Sequence, residues 1–345
     1  MAALATVEDP DLHRDLVTLG MIEDLAVADD GRVSFTLVLT TAACPLKAEI
    51  EGNCRAAVTA LSWGTAVEFR TTSRVRKPRD PSADRKPLDG VANVLAIGSG
   101  KGGVGKSTVT CNLAIALAKT GARIGLLDGD IYGPNLPRML GVRRQPSQRN
   151  GKIVPVEAWG LQFMSMGLLV EQGEAVVWRG PMLHGAVKSF LHDVDWGELD
   201  YLLVDLPPGT GDVQLSLVQQ TFVAGAAIVT TPSAVAIEDA EKAVSMFGKL
   251  SVPVLGVIEN MSYFICPDCH HRHDIFSSGD AETRARAMGL EFLGAIPLHP
   301  QVRLGGDTGR PVVAEQPDSE YARAFTAIAG RLAQQTSILA AAGGV

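Results

Sequence analysis

Short apolar runs alternate with stretches of helical periodicity along most of the chain, and this alternation predicts the fold. The runs are rich in branched apolar residues and suit buried strands, whereas the stretches between them repeat apolar residues at helical spacing. The strands predicted in this part of the chain are residues 94–97, 123–127, 161–165, 201–204, 226–230, 254–258 and 292–295. Strands that alternate with helical crossovers predict an α/β fold with a mostly parallel, doubly wound sheet.

The beginning of the chain has a different pattern and predicts a small, separate α/β unit. Residues 11–19 and 46–61 have the spacing of helices, and residues 22–27, 33–39 and 66–71 have that of strands. Residues 72–90 contain six basic residues and three prolines, a composition typical of a linker. The sequence therefore predicts a small domain at 1–71, a basic linker at 72–90 and a larger domain at 91–345.

A glycine-rich segment, residues 98–108 (GSGKGGVGKST), lies between the first strand and the first helix of the larger domain. It fits G-x-x-x-x-G-K-[ST], the loop of P-loop NTPases, whose backbone N–H groups surround phosphates. We expect Lys106 to reach the β- and γ-phosphates of a nucleotide and Ser107 to hold Mg²⁺. The nucleotide-binding residues predicted in the loop are Gly100, Lys101, Gly102, Gly103, Val104, Gly105, Lys106, Ser107 and Thr108.

Aspartates follow two of the predicted strands. Asp128 and Asp130 follow the strand at 123–127, and Asp205 follows the strand at 201–204. Ligands of doubly wound sheets bind at the carboxyl ends of the strands, so these carboxylates are expected near the phosphate loop. An apolar run that ends in Asp is typical of a Walker B motif, and Asp205 is therefore the predicted partner of Mg²⁺.

Two cysteines separated by two residues, Cys266 and Cys269, form the candidate metal motif. A [4Fe–4S] cluster usually takes four thiolates, so one such pair per chain would need two chains to bind it. A zinc site that adds His270, His271 or His273 is an alternative interpretation, and a redox-active pair is another. The spacing of the residues leaves all three open.

Composition limits the classes of function. The chain has 345 residues and a net charge of −7, which weighs against a general nucleic-acid surface. No apolar run reaches membrane-spanning length, and five cysteines are too few and odd in number for a disulfide framework. We therefore expect a cytoplasmic protein with free thiols that binds neither nucleic acid nor membrane.

The phosphate loop resembles that of the deviant Walker A ATPases, a group that includes MinD, ParA and the nitrogenase iron protein. Lys101 stands where these proteins have a signature lysine that contacts the nucleotide of the partner subunit. The resemblance therefore implies a homodimer that closes on two ATP molecules. It also implies that Asp130 orients the attacking water and that Asn260 binds the adenine. Asp130 thus joins Lys101, Lys106 and Asp205 in the predicted catalytic set.

Further segments narrow the resemblance to one family. Segments 128–137 (DGDIYGPNLP), 178–181 (WRGP), 205–212 (DLPPGTGD) and 260–269 (NMSYFICPDC) occur in this order. Residues 91–340 thus resemble the Mrp/ApbC family of ATP-dependent iron–sulfur cluster carriers. Segment 40–46 (TTAACPL) is similar to the Thr/Cys-Pro turn in the small domain of iron–sulfur assembly factors, so residues 1–71 resemble that domain, and Cys44 would be a reactive, ligating or buried structural thiol.

The function implied by this resemblance is cluster transfer. A [4Fe–4S] cluster would be held at the homodimer interface by Cys266 and Cys269 of each chain. Its partners would be apo iron–sulfur proteins and cluster scaffold proteins. A spatial-positioning ATPase of the MinD/ParA type and a nucleotide-dependent reductase that carries the same cluster are the alternatives.

Overall fold

The computed structural model describes residues 1–64, 66–78, 87–169, 180–266, 268–269, 271–276 and 280–342. Its Cα positions divide the chain into two compact units: Met1–Arg79 with Ala333–Val345, and Asp80–Leu332. This division assigns the end of the chain to the first unit, whereas the sequence-based boundary kept it with the larger domain. The predicted linker lies partly outside the described residues, and the domain boundaries stay a prediction.

The elements are numbered here in chain order. The strands are β1 (Glu8–Asp9), β2 (Arg14–Asp15), β3 (Ile22–Val27), β4 (Arg32–Leu39), β5 (Ala66–Ser73), β6 (Val91–Ser99), β7 (Ile124–Asp128), β8 (Ser147–Arg149), β9 (Lys152–Val154), β10 (Val156–Ala158), β11 (Leu161–Ser165), β12 (Leu199–Asp205), β13 (Gly225–Thr230), β14 (Val254–Glu259), β15 (Phe264–Ile265), β16 (Arg272–His273) and β17 (Phe292–Ala295). The helices are α1 (Lys47–Thr59), α2 (Lys106–Lys119), α3 (Leu136–Met139), α4 (Gly180–His192), α5 (Asp212–Gln220), α6 (Ala234–Lys249), α7 (Asp280–Ala287), α8 (Pro300–Thr308), α9 (Val312–Glu315) and α10 (Glu320–Ala342). Among the described residues, no helix combines the length and apolar composition needed to cross a bilayer.

The first unit contains a three-stranded sheet in which β4 pairs with β3 antiparallel and with β5 parallel. Apolar residues of β4 and α1, among them Leu37 and Ile50, form its core. The helix predicted at residues 11–19 is wrong, because turns and the short strand β2 occupy this segment. Asp9 accepts hydrogen bonds from the backbone N–H groups of Asp11 and Leu12, and these local bonds compete with helical ones.

The second unit contains an eight-stranded sheet with the order β10-β11-β7-β12-β6-β13-β14-β17. Every neighbouring pair is parallel except β10 with β11, so the predicted α/β fold with a mostly parallel, doubly wound sheet is confirmed. The register pairs Asp205 of β12 with Ile97 of β6 and with Asp128 of β7. The ends of the three strands therefore meet at one edge of the sheet, beside the phosphate loop.

Strand β6 shows how the sheet is buried on both faces. Val94 and Ala96 pack in an apolar cluster that includes residues of α4, α5 and α6. Leu95 and Ile97 point to the opposite face, because side chains alternate along a strand, and they are equally buried. A central strand buried in this way fixes the position of the loop that follows it.

Candidate nucleotide site and cysteine hairpin

The phosphate loop connects the end of β6 to the start of α2. The helix begins at Lys106, and Gly105 caps it with a φ of 80°. A Cβ atom at Gly105 would lie 2.3 Å from Nδ2 of Asn260, and one at Gly100 would lie 2.1 Å from the backbone of Asp239. Glycine is therefore required at Gly105 by both backbone conformation and space, and at Gly100 by space.

A buried ion pair joins the loop to the end of β12. Nζ of Lys106 lies 2.7 Å from Oδ1 of Asp205, and the two side chains are 6% and 0% exposed. The hydroxyl of Ser107 donates to Oδ2 of Asp205 at 2.6 Å. The structure thus brings together Lys106, Ser107 and Asp205, the three residues that the sequence assigned to phosphate and Mg²⁺.

Thr110 is a member of this cluster that the sequence reasoning missed. Its hydroxyl donates to Oδ1 of Asp205 at 2.7 Å and is fully buried one helical turn after Lys106. A polar residue at i+4 from the P-loop lysine, on the face of the helix that carries the lysine, was the available signal. Asp205 therefore accepts one hydrogen bond from each of three side chains of the loop and α2.

The two aspartates after β7 have different surroundings. Asp128 is buried and accepts hydrogen bonds from the Ser165 hydroxyl and, over longer distances, from two backbone N–H groups. Burial first, and the negative charge of Asp205 second, raise its pKa well above the ordinary value. Asp130 is half-buried; burial raises its pKa as well, and the charge of Lys106 opposes this effect.

Asp130 faces a cleft of 620 Å³. The same cleft is lined by Pro207, Pro208 and Gly211, which belong to the segment directly after Asp205. A half-buried carboxylate at the edge of an open cleft can accept a hydrogen bond from water, whereas Asp128 has its acceptors engaged. The geometry therefore favours Asp130 over Asp128 for contact with a ligand.

Asn260 follows β14 and contacts the phosphate loop. Its Nδ2 donates to the backbone carbonyl of Val104 at 2.9 Å, and its side chain is buried. This hydrogen bond links the side chain of Asn260 to the backbone of the loop. It uses one of the two N–H groups of the amide. The contact of Asn260 with adenine stays a prediction.

The remaining loop residues differ in their exposure. Lys101 is half-buried, and its backbone carbonyl accepts a hydrogen bond from the Ser99 hydroxyl at 3.1 Å. Val104 is buried, whereas Gly102 and Gly103 are exposed. The contact of Lys101 with a second copy concerns a partner chain and stays a prediction.

The cysteine pair lies in the turn of a β-hairpin formed by β15 and β16. The backbone N–H of Cys266 donates to the carbonyl of His271 at 3.0 Å, and Cys269 is exposed at the tip. Hydrogen bonds from the backbone N–H groups of Cys269 and Asp268, together with one from the Cys269 side chain, lower the pKa of the Cys266 thiol. The side chains of the two cysteines therefore lie within hydrogen-bonding reach of each other.

The hairpin can be compared with the two alternative interpretations of the cysteine pair, a redox-active pair and a zinc site. A thioredoxin-like pair would lie at the start of a helix, whereas Cys266 follows a strand. His271 and His273 are exposed, and across the described ranges, which omit His270, no three His, Cys, Asp or Glu side chains form a metal-binding group. His270 itself lies outside the described residues, so a zinc site that includes it stays an alternative interpretation.

The other three cysteines lie elsewhere. Cys54 and Cys111 are buried in α1 and α2. Cys44 is half-buried, and burial raises its pKa to about 11. A thiol with this pKa stays protonated near neutral pH, so the hypothesis of a reactive Cys44 finds no support in its surroundings.

Comparison with protein-family models assigns both parts of the chain. Residues 90–333 match the model described as a NUBPL iron-transfer P-loop NTPase, and residues 1–69 match the model of an iron-sulfur cluster assembly protein. The iron-sulfur cluster carrier protein of a Synechocystis species is 49% identical over 347 residues, which cover 99% of this chain and 98% of that protein.

Solved structures resemble about two thirds of the chain. A nucleotide-binding protein of Archaeoglobus fulgidus in complex with ADP is 38% identical, with a TM-score of 0.59 over 69% of this chain and 93% of that one. The cell division ATPase MinD of Pyrococcus furiosus is 26% identical, with a TM-score of 0.53 over 69% of this chain and 97% of that one.

Proposed function

The chain belongs to the family of iron–sulfur cluster carrier proteins built on a P-loop NTPase, and from this membership we propose that it is an ATP-dependent carrier of [4Fe–4S] clusters. In this proposal a homodimer binds and hydrolyses ATP. It accepts a cluster from scaffold proteins, holds it between the two chains and passes it to apo iron–sulfur proteins. The free thiols of all five cysteines suit a reducing cytoplasm.

The nucleotide half of the proposal rests on the cluster around Asp205. Lys106 is held there by a carboxylate, and the phosphates of ATP offer the lysine a competing set of anionic oxygens. The hydroxyl of Ser107 and the carboxylate of Asp205 are hard oxygen donors that fit Mg²⁺. When bound, Mg²⁺ would offset negative charge on the phosphates of ATP.

Hydrolysis in this proposal depends on positioning and charge. Lys106 of the same chain and Lys101 of the partner subunit would stabilise the charge that develops on the transferred phosphoryl group. Asp130, half-buried at the cleft, would orient the attacking water. These roles require no covalent intermediate, because phosphoryl transfer to water is catalysed mainly by position and electrostatics.

The cluster is the cargo of this proposal. Cys266 and Cys269 converge in an exposed turn, and two such turns related by a two-fold axis would supply four thiolates. An exposed turn also leaves the cargo accessible to a recipient. A carrier requires this access because it must release its cluster, whereas a structural cluster protein keeps its own.

One observation carries the proposal: a single segment connects the phosphate loop with the cysteine pair. The side chain of Asn260 is hydrogen-bonded to Val104 of the loop, and the chain then runs directly through β15 to Cys266. A change in the loop on nucleotide binding would therefore act on a residue only six positions from the first cysteine. This short connection supports a coupling between ATP and the cluster.

Anaerobic reconstitution with iron and sulfide tests the proposal. We expect about four iron atoms per dimer with the absorbance of a [4Fe–4S] cluster, ATP hydrolysis that depends on Mg²⁺, and transfer of the cluster to a purified apoprotein. Tightly bound zinc without iron would contradict the cargo, and a protein that binds no nucleotide would contradict the ATP-dependent mechanism.

We also propose that residues 1–71 and 91–345 are separate domains joined by the basic segment at 72–90. The segment has few apolar residues with which to pack. Limited trypsin digestion should cut it first, and the larger fragment should keep ATP binding. First cleavage elsewhere, with 72–90 protected, would contradict the linker.

A further inference from the structure

The segment at residues 207–211 contributes Pro207, Pro208 and Gly211 to the lining of the cleft that Asp130 also lines. It begins two residues after Asp205, so its position and that of the carboxylate are linked through the backbone. Pro207 is buried, whereas Pro208, Thr210 and Gly211 are exposed. The conformation of the exposed part therefore depends mainly on hydrogen bonds.

One side of the segment is fastened to the strand that leads into the phosphate loop. The backbone N–H of Leu206 donates to the carbonyl of Ile97 at 3.1 Å, and that of Gly209 donates to the carbonyl of Ser99 at 2.9 Å. These bonds hold two positions of the backbone. Neither bond involves the carbonyl groups of the segment or its last residue, Gly211.

The other side is fastened by one side chain, Gln214, which is 1% exposed in the first turn of α5. Its Nε2 donates to the carbonyls of Pro207 and Gly209, each at 2.9 Å. Its Oε1 accepts from the backbone N–H of Gly211 at 3.1 Å. The single amide thus spans the whole segment.

Only a primary amide of this length matches these three backbone groups. Two of them are acceptors and one is a donor, so both N–H groups and the oxygen of Gln214 are used, and the orientation of the amide is determined. A glutamate would face two carbonyl oxygens without a proton to donate. An apolar side chain of similar size would leave all three groups without their partner.

We propose that Gln214 is a positioning residue for the chemical step: it holds residues 207–211 at the phosphate side of the nucleotide site, in the cleft that Asp130 also lines. The inference rests on the proposed ATP hydrolysis and assigns a further residue to it. Gln214 touches no reacting atom in this role. Its hydrogen bonds fix the backbone that follows Asp205. This backbone would in turn position the transferred phosphate and the attacking water.

Kinetics of Gln214→Glu and Gln214→Met test this role, with Gln219→Glu as the matched control on the exposed face of the same helix. A displacement on the order of 1 Å near reacting groups costs about a hundredfold, so we expect kcat for ATP to fall about 100-fold in both Gln214 variants. The Kd of a non-hydrolysable ATP analogue should change by less than about threefold, because the loop at 100–108 is intact. Gln219→Glu should match the wild type.

Hydrogen exchange supplies a readout that does not depend on turnover. In the wild type the amide of Gly211, which donates to Gln214, should exchange slowly, and in Gln214→Met it should exchange at least about tenfold faster while those of β12 stay protected. Rapid exchange of the Gly211 amide in the wild type would overturn the anchoring. So would unchanged kcat in both variants.

A general structural role gives a different result from a positioning role. If the variants lose analogue binding in proportion to kcat, together with protection of β12, the residue merely supports the fold and the proposal is wrong. A wild type that binds ATP without hydrolysing it would instead contradict the proposed function. The exchange experiment would still decide whether Gln214 anchors the segment.

Discussion

Replacing Asp205 by asparagine should strongly destabilise the nucleotide-free protein, because it removes the carboxylate that is paired directly with the buried ammonium group of Lys106. The pair lies 2.7 Å apart, with side-chain exposures of 6% and 0%. At an effective dielectric constant of about 20, two charges at this distance attract by about 6 kcal/mol before the cost of desolvation. Removal of one partner of a buried pair typically costs about 3–5 kcal/mol, and we expect a loss in this range.

Denaturant unfolding without nucleotide measures this loss. Trp196 is buried in the second unit, so its fluorescence reports the unfolding of the sheet that carries Asp205. Asp195→Ala is the matched control, because it removes the partner of Arg149 from an exposed pair at 3.2 Å. That variant should lose at most about 1 kcal/mol, since water and salt screen exposed pairs.

Two further measurements separate the charge effect from a general loss of packing. Lys106→Met combined with Asp205→Asn should be more stable than the sum of the single variants predicts, because no unpaired buried charge remains. ADP without Mg²⁺ should stabilise Asp205→Asn more than the wild type, because the phosphates replace the missing carboxylate as partner of Lys106. A loss below about 1 kcal/mol, or equal stabilisation of both proteins by ADP, would refute the reasoning.

Other variants test the remaining parts of the site. Cys266→Ala and Cys269→Ala should each lose the reconstituted iron while keeping ATP binding, and normal iron content in both would end the bridging hypothesis. Lys101→Ala should lose ATP turnover; mixed dimers with inactive Lys106→Ala should show one active site if the lysine acts across the dimer, and none would count against it. Cys44, with a pKa raised to about 11, should react with iodoacetamide at pH 8 at least about tenfold more slowly than an exposed thiol and should speed up as the pH rises towards 11; fast alkylation at pH 8 would contradict its burial.

Strands that form one continuous apolar run could be predicted from the sequence alone. The apolar runs predicted each parallel strand of the large sheet to within a few residues, because strands buried on both faces have few polar positions. The helix predicted at 11–19 failed because periodicity ignores side-chain bonds to the backbone, such as those that Asp9 makes. The short strands β8, β9, β15 and β16 gave too few residues for any period to be recognised.

The phosphate loop, the strand-end aspartates and the paired cysteines could be recognised as candidate site residues from the sequence. Each is a short run of residues whose types indicate their chemistry. Tertiary structure decided which groups meet. The order β7-β12-β6 places Asp205 beside a lysine 99 positions earlier and leaves Asp128 buried behind it. Likewise, the partners of Thr110, Gln214 and Asn260 follow from packing, since a hydrogen bond between distant segments leaves no local pattern.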